Sequence, residues 1–244
     1  MDRKEAYFDL GKWHGALIFS SGEFTDFRAY VENADAVDLH MSSIKLLSAD
    51  EDGNVTHRAL SDSRLSTAWT EKYRGSLSDS LTMHANMLIV TAGAYFENIV
   101  FDFLQNYFTH KPKALHTFIG GEDNLGHIKI SEVFSFDTLG DLTTELAARG
   151  ASRASDGPPD KILQRIKTLT GVEIPSDLHR QIVELVLQRN TIAHEIKRYP
   201  LDKLDIQGAY NALEELLRKL GLITRGLGLP IYDPGNLLPK TVKQ

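Results

Sequence analysis

Between residues 79 and 108 apolar side chains recur at helical spacing: Leu81, Ala85, Leu88, Ile89, Ala92, Phe96, Ile99, Val100, Phe103 and Tyr107. A helix with such a stripe must bury it against other elements, which predicts a mainly helical domain. Lys111-Pro112 marks the end of this helix. Further helices are expected over 175–197, 201–220 and 160–169. For the first, Pro175-Ser176-Asp177 offers a start, with Ser or Asp as the cap, and Pro200 limits the other end. For the second, Gly221 offers a stop. The third follows the Pro158-Pro159 pair.

Other stretches carry weaker patterns. Residues 22–48 read as one helix or two, and 46–61 as a loop or hairpin around an acidic, glycine-containing turn. Residues 115–136 mix β-branched and aromatic side chains, so a short strand pair is one reading; Gly120-Gly121-Glu122 within them reads as a turn rather than a phosphate cradle. Residues 150–159 read as a polar loop. Residues 221–244, with four glycines and three prolines, read as an extended tail laid over the surface.

Composition narrows the function classes. The chain has 244 residues, 42% hydrophobic and 25% charged, which is ordinary for one globular domain. It has no cysteine, so disulfides, thiolate metal sites and a thiol nucleophile are excluded. Uninterrupted apolar runs stop well short of the roughly 18 to 20 residues that span a bilayer, and the first fifteen residues lack a secretion signal. A soluble cytoplasmic protein with no membrane role is expected. The formal charge of −6 confines any nucleic-acid contact to a local patch.

One stretch carries chemistry: Gln188-Arg189-Asn190-Thr191-Ile192-Ala193-His194. On a helical wheel Arg189 falls at the centre of an apolar face, with Leu178, Ile182, Leu185, Val186, Ile192, Ala193 and Ile196 all within about 60° of it. Asn190 and His194, four residues apart, share the neighbouring flank. An arginine there demands a partner, because an unpaired buried charge is costly. Glu97 is the leading candidate, since it too sits on an apolar flank, among Val90, Phe101 and Leu104. The other eight histidines belong to no ligand or catalytic pattern.

The Arg189-Asn190-x3-His194 pattern resembles the Arg–x(4–6)–His signature of the HEPN superfamily in its Arg-Asn form. Ala94-Tyr95-Phe96-Glu97 in the earlier long helix is similar to the first core helix of the RiboL-PSP-type branch. Thirteen arginines and nine histidines would produce Arg-x4-His about 0.5 times by chance, and requiring Asn after the arginine lowers this to about 0.02. The resemblance covers residues 77–222. It implies a HEPN-like helical bundle, preceded by an N-terminal extension over 1–76 of unassigned role and followed by a tail over 223–244.

The resemblance further implies a metal-independent endoribonuclease that needs no cofactor. It would act as a homodimer in which two motif copies meet in one cleft, in the setting of a toxin or a defence or stress effector. An antitoxin or other regulatory partner would restrain it. Nothing in the pattern points to DNA. Position 196 is Ile, where HEPN toxins paired with a minimal nucleotidyltransferase often carry a modifiable tyrosine.

The residue types suit that chemistry. His194 is the general-base candidate for a ribose 2′-hydroxyl. Arg189 supplies a fixed cation for charge developing on phosphorus, and Asn190 could orient the imidazole or bind phosphate or ribose. Lys197 and Arg198 are candidate phosphate contacts and Glu97 a supporting partner. Two other readings stand beside this one. The first is a non-catalytic HEPN module binding nucleotide, RNA or a protein partner; the second is a helical scaffold in which Arg189–Glu97 is a structural pair.

Overall fold

The computed structural model describes residues 6–49, 54–64, 66–118 and 127–239. The architecture is mainly α, as expected. A short strand, β1 (Phe8–Asp9), leads into α1 (Leu10–Glu32) and α2 (Ala34–Ser43). A hairpin of β2 (Lys45–Ala49) and β3 (Val55–Ala59) follows. Next come the long helix α3 (Ser66–His110), a 3₁₀ segment (Pro112–Thr117), a single turn α4 (Ile130–Val133), and α5 (Leu139–Ala154). The chain continues through α6 (Pro159–Thr170), α7 (Ser176–Glu195), a 3₁₀ turn (Leu201–Lys203), α8 (Ile206–Gly226) and β4 (Ile231–Tyr232).

α3 is the axis of the fold, with α1, α5, α7 and α8 all packed against it. Its stripe is the expected one: Leu81, Ala85, Ile89, Ala92, Phe96, Ile99, Val100 and Phe103 are buried. The helix begins at Ser66 rather than 79, because residues 66–78 are mostly polar and cover a separate small cluster. There Val37, Met41 and Leu60 meet the half-buried Tyr73 and Leu77. The hairpin reading of 46–61 is met by β2 and β3, paired antiparallel with Lys45 opposite Ala59.

Several expectations need correction. The helix expected from 22 starts at Leu10, where Asp9 caps it by accepting a hydrogen bond from the Lys12 N–H at 2.9 Å. Its residues Leu10, Trp13, Leu17 and Phe24 join the main core, and Asp102 of α3 accepts from both Lys12 Nζ and the Trp13 indole N–H. The division expected at 76/77 therefore falls inside α3, and the residues before it supply core.

Residues 150–154 are helical, not loop. A Cβ at Gly150 would collide with Leu115, and Ala151 and Ala154 are fully buried, so these small residues mark tight packing rather than a break. Gly221 likewise does not stop α8. It admits Leu10, whose methyls would lie 3.0 Å from a Cβ placed there, and the helix runs on to Gly226. At its other end α8 begins at Ile206, after a 3₁₀ turn, with the Asp205 carboxylate accepting from the Gly208 N–H at 2.8 Å.

No strand pair occurs among the described residues of 115–136, which form 3₁₀ and α turns. The Gly120-Gly121-Glu122 turn lies outside the described residues. The tail is not merely laid over the surface. β4 pairs in parallel with β1, and Leu229 and Leu238 are buried in the main core. An 18-residue window of α3 is apolar enough to cross a membrane by composition, and half of that window is buried inside the protein.

Candidate functional site

α7 lies along α3 and against α8, presenting Leu178, Ile182, Leu185 and Val186 to the core. It starts without the expected Ser or Asp cap: Pro175 holds the cap position, no side chain bonds there, and Ser176 is already helical. Beyond Val186 the buried stripe ends. Ile192 is only partly buried, and Ala193 and Ile196, expected on the core face, are exposed. Arg189 occupies the position where the core gives way to solvent.

The Arg189 side chain lies across α3. A Cβ on Gly93 would sit 2.6 Å from Arg189 Cγ, so the arginine stem passes over α3 where only a glycine leaves room. Its guanidinium then reaches two acceptors. One Nη donates to Asn190 Oδ1 at 2.9 Å, and the other lies 3.3 Å from Glu97 Oε1. Glu97 is one turn after Gly93 on α3, which puts the carboxylate within reach of a side chain laid over the glycine. Arg189 Nε is buried and has no partner among the described residues. The arginine is thus paired, as its place on an apolar face requires, and the pair is part-exposed, with Glu97 at 49% side-chain exposure.

This arrangement sorts the candidate residues. Arg189, Asn190 and Glu97 form one network. The Asn190 carbonyl is engaged by its neighbour Arg189, so within one chain it does not orient the imidazole; its amide N–H groups face no partner among the described residues. His194 lies five residues beyond Arg189, about 140° further round the helix. It is exposed and makes no hydrogen bond to the described residues.

Past His194 the chain leaves the helix at Ile196, which adopts the left-handed conformation (φ 52°) while 87% exposed. A β-branched residue in that region is strained, and no packing compensates here. Three residues on, the chain is held by Asn86, a buried residue of α3. Its Nδ2 donates to the Tyr199 carbonyl at 2.8 Å and its Oδ1 accepts from the Tyr199 N–H at 2.9 Å. This two-point clamp ties Tyr199 to α3. Lys197 and Arg198 lie on the clamped segment, both exposed. The Lys197 ammonium sits 5.0 Å from the Tyr199 ring centroid, and Arg198 reaches the Met83 sulfur at 3.8 Å.

Asn86 and Gly93 were not singled out in the sequence, although both leave a signal. Asn86 interrupts the apolar stripe beside Ala85, and a glycine inside a helix gives up about 1 kcal/mol relative to alanine, which points to close packing. Among the described residues no three His, Asp or Glu side chains gather in a metal-holding arrangement.

Fold and site together define a mainly α domain that carries a part-exposed arginine–carboxylate–amide network on two core helices, with an exposed histidine about 140° further round the second of them. No protein-family model matches the chain, and no curated protein or solved structure matches it.

Proposed function

We propose that the protein is a HEPN-type endoribonuclease that cleaves RNA through Arg189, Asn190 and His194 as a homodimer, in the role of a toxin or a defence or stress effector under a regulatory partner. The observation that carries this reading is the anchoring of Arg189 by Gly93, Glu97 and Asn190, one and a half turns before an exposed, uncommitted histidine. A guanidinium held in place is preorganised to meet charge on a phosphate.

In the proposed reaction His194 removes the proton from a ribose 2′-hydroxyl. The freed oxygen attacks the adjacent phosphorus, and the bond from phosphorus to the 5′-oxygen breaks as that oxygen takes up a proton from water, while His194 returns the proton it holds to solvent. The products are a 2′,3′-cyclic phosphate and a 5′-hydroxyl, and Arg189 offsets the negative charge that builds on the non-bridging oxygens. Glu97 positions the guanidinium. Lys197 and Arg198, on the clamped segment, contact flanking phosphates.

Arg189 and His194 of one helix point to different sides, so the site takes His194 from one protomer and Arg189 from the other. Exposed apolar residues flank the motif in support of this face: Met83 and Met87 on α3, and Ile196 at the end of α7. The test is incubation with total cellular RNA in EDTA, followed by mapping of product ends. Discrete fragments with cyclic-phosphate ends, lost in His194→Ala, are expected. Intact RNA with a folded dimer would overturn the reading. One observation favours the alternative of a non-catalytic module: no carboxylate or carbonyl among the described residues orients His194. That reading predicts salt-sensitive RNA binding without products.

A further inference from the structure

α3 carries a second stripe on the side away from the core. Trp69, Ser76, Met83 and Val90 recur every seven residues, and Tyr73, Ser80, Met87 and Ala94 recur in the same way four residues further on. This alternation of four and three is the seam of a helix that packs along another helix. On the wheel the seam lies across the helix from Leu81, Ala85, Ala92 and Phe96, which are buried in the core. A helix ordinarily gives that opposite side polar residues. Here Trp69, Met83 and Met87 are each about half exposed, and Ser76 and Ser80 are exposed beside them.

The order of large and small side chains along the seam selects its occupant. In an antiparallel second copy, with the two-fold axis level with residues 81–82, Trp69 faces Ala94, Ser76 faces Met87 and Ser80 faces Met83. Each large side chain meets a small one, and Tyr73 meets Val90. Sliding the copy by one heptad sets Ser76 against Ser80 or Met83 against Met87, and a parallel copy sets each residue against itself. A pocket of about 240 Å³ lies beside Trp69 and Ser76, walled by Met41, Ile44 and Leu60. Met87 of the second copy falls at its mouth, and a methionine adapts well to such a gap. Charge agrees with this register. Arg198 rests on the Met83 sulfur, which faces Ser80 of the second copy, so it stands level with the exposed Asp79 next to that serine. Asp79 and Glu97 fall at one angle of the wheel, on the α7 side, and a two-fold brings like flanks together.

We propose that α3 pairs with α3 of a second copy across this seam, forming a resting dimer that keeps the site incomplete. The two-fold level with residues 81–82 sets the two Gly93 positions, and with them the two Arg189 stems, about 35 Å apart. His194, one and a half turns along α7 from its own Arg189, does not reach the Arg189 of the other copy. Met83 and Met87 also flank the motif, so this pairing and the shared site exclude each other, and the chain cleaves only when the seam opens. The pairing stands on the seam alone, and its resting role rests on the ribonuclease reading.

The chain has no cysteine, so introduced thiols test the register directly. Full-length chains bearing Ser80→Cys and Met83→Cys, one of them carrying a size tag, are mixed and oxidised. In the proposed pairing these two positions face each other within disulfide reach, and a mixed-size covalent dimer forms. Adding Ser76→Glu to both chains, at an exposed position away from the motif, sets a carboxylate against Met87 of the second copy. The cross-linked yield is expected to fall by about tenfold or more. A cross-link that falls in this way, in a dimer that cleaves RNA only after reduction, supports the proposal. No cross-link, or one indifferent to Ser76→Glu, overturns the pairing, while cleavage by the same chains shows that the ribonuclease stands. A cross-linked dimer that cleaves as fast as the reduced chains overturns the resting role. A cross-link that Ser76→Glu removes, in chains that leave RNA intact both oxidised and reduced, supports the pairing and overturns the ribonuclease.

Discussion

Arg189 shows how a residue that seems misplaced by pattern is accommodated by position. Its stem takes the room left at Gly93, and its charge is shared with Glu97 and Asn190. Gly93→Ala therefore costs stability, by about 1–3 kcal/mol through overpacking, although alanine is the better helix former by about 1 kcal/mol; denaturant melting reads the sign. His194 has no such entanglement. His194→Ala is expected to change stability by no more than about 0.5 kcal/mol while abolishing cleavage, and a variant that unfolds would place the histidine in the structure instead of the chemistry. Glu97→Gln is expected to cost only about 0–1 kcal/mol, since the pair is part-exposed. The Arg189–Glu97 pairing was legible in the sequence because both side chains fell on apolar flanks. The neighbouring role of Asn190 was not, because a wheel places side chains by angle and does not show that Asn190 Oδ1 meets the arginine beside it.

Among the elements, the end of α7 is where local and tertiary preferences conflict. Ile196 is held left-handed and in solvent, while Asn86 secures the chain three residues later. Ile196→Gly removes a β-branched side chain from a conformation that suits glycine and is expected to raise stability by about 1 kcal/mol. Asn86→Ala removes both bonds to Tyr199 and leaves its peptide groups unpaired, at about 1–3 kcal/mol; hydrogen exchange over residues 196–200 would rise with it. Unchanged exchange would show that Asn86 does not hold this segment. Helices with a long apolar stripe, α3 and α7, were readable from spacing alone. The polar first turns of α3 were not, since their contacts are with the α2–hairpin cluster. Gly150 and Gly221 misled for one shared reason: each admits a leucine from another element, and sequence alone does not distinguish a glycine that ends a helix from one that lets a neighbour approach.

For the whole molecule, the ends of the chain are what the sequence concealed. β1 and β4 pair in parallel, α1 covers α3 and α8, and Leu229 and Leu238 close the core, so the expected extension and tail are parts of one packed body. Their apolar residues are few and scattered, and only the meeting of the two ends gives them a shared face. The motif, by contrast, lies on a single helix whose geometry separates Arg189 from His194, and this separation is the reason for placing the site between two protomers. The most direct test mixes two inactive chains, Arg189→Ala and His194→Ala, under conditions that exchange protomers, and measures RNA cleavage in EDTA. A site shared across the two-fold gives each mixed dimer one intact centre, so activity returns to about a quarter of wild type at equal mixing. Two chains that stay inactive together while exchange is verified would contradict the shared site.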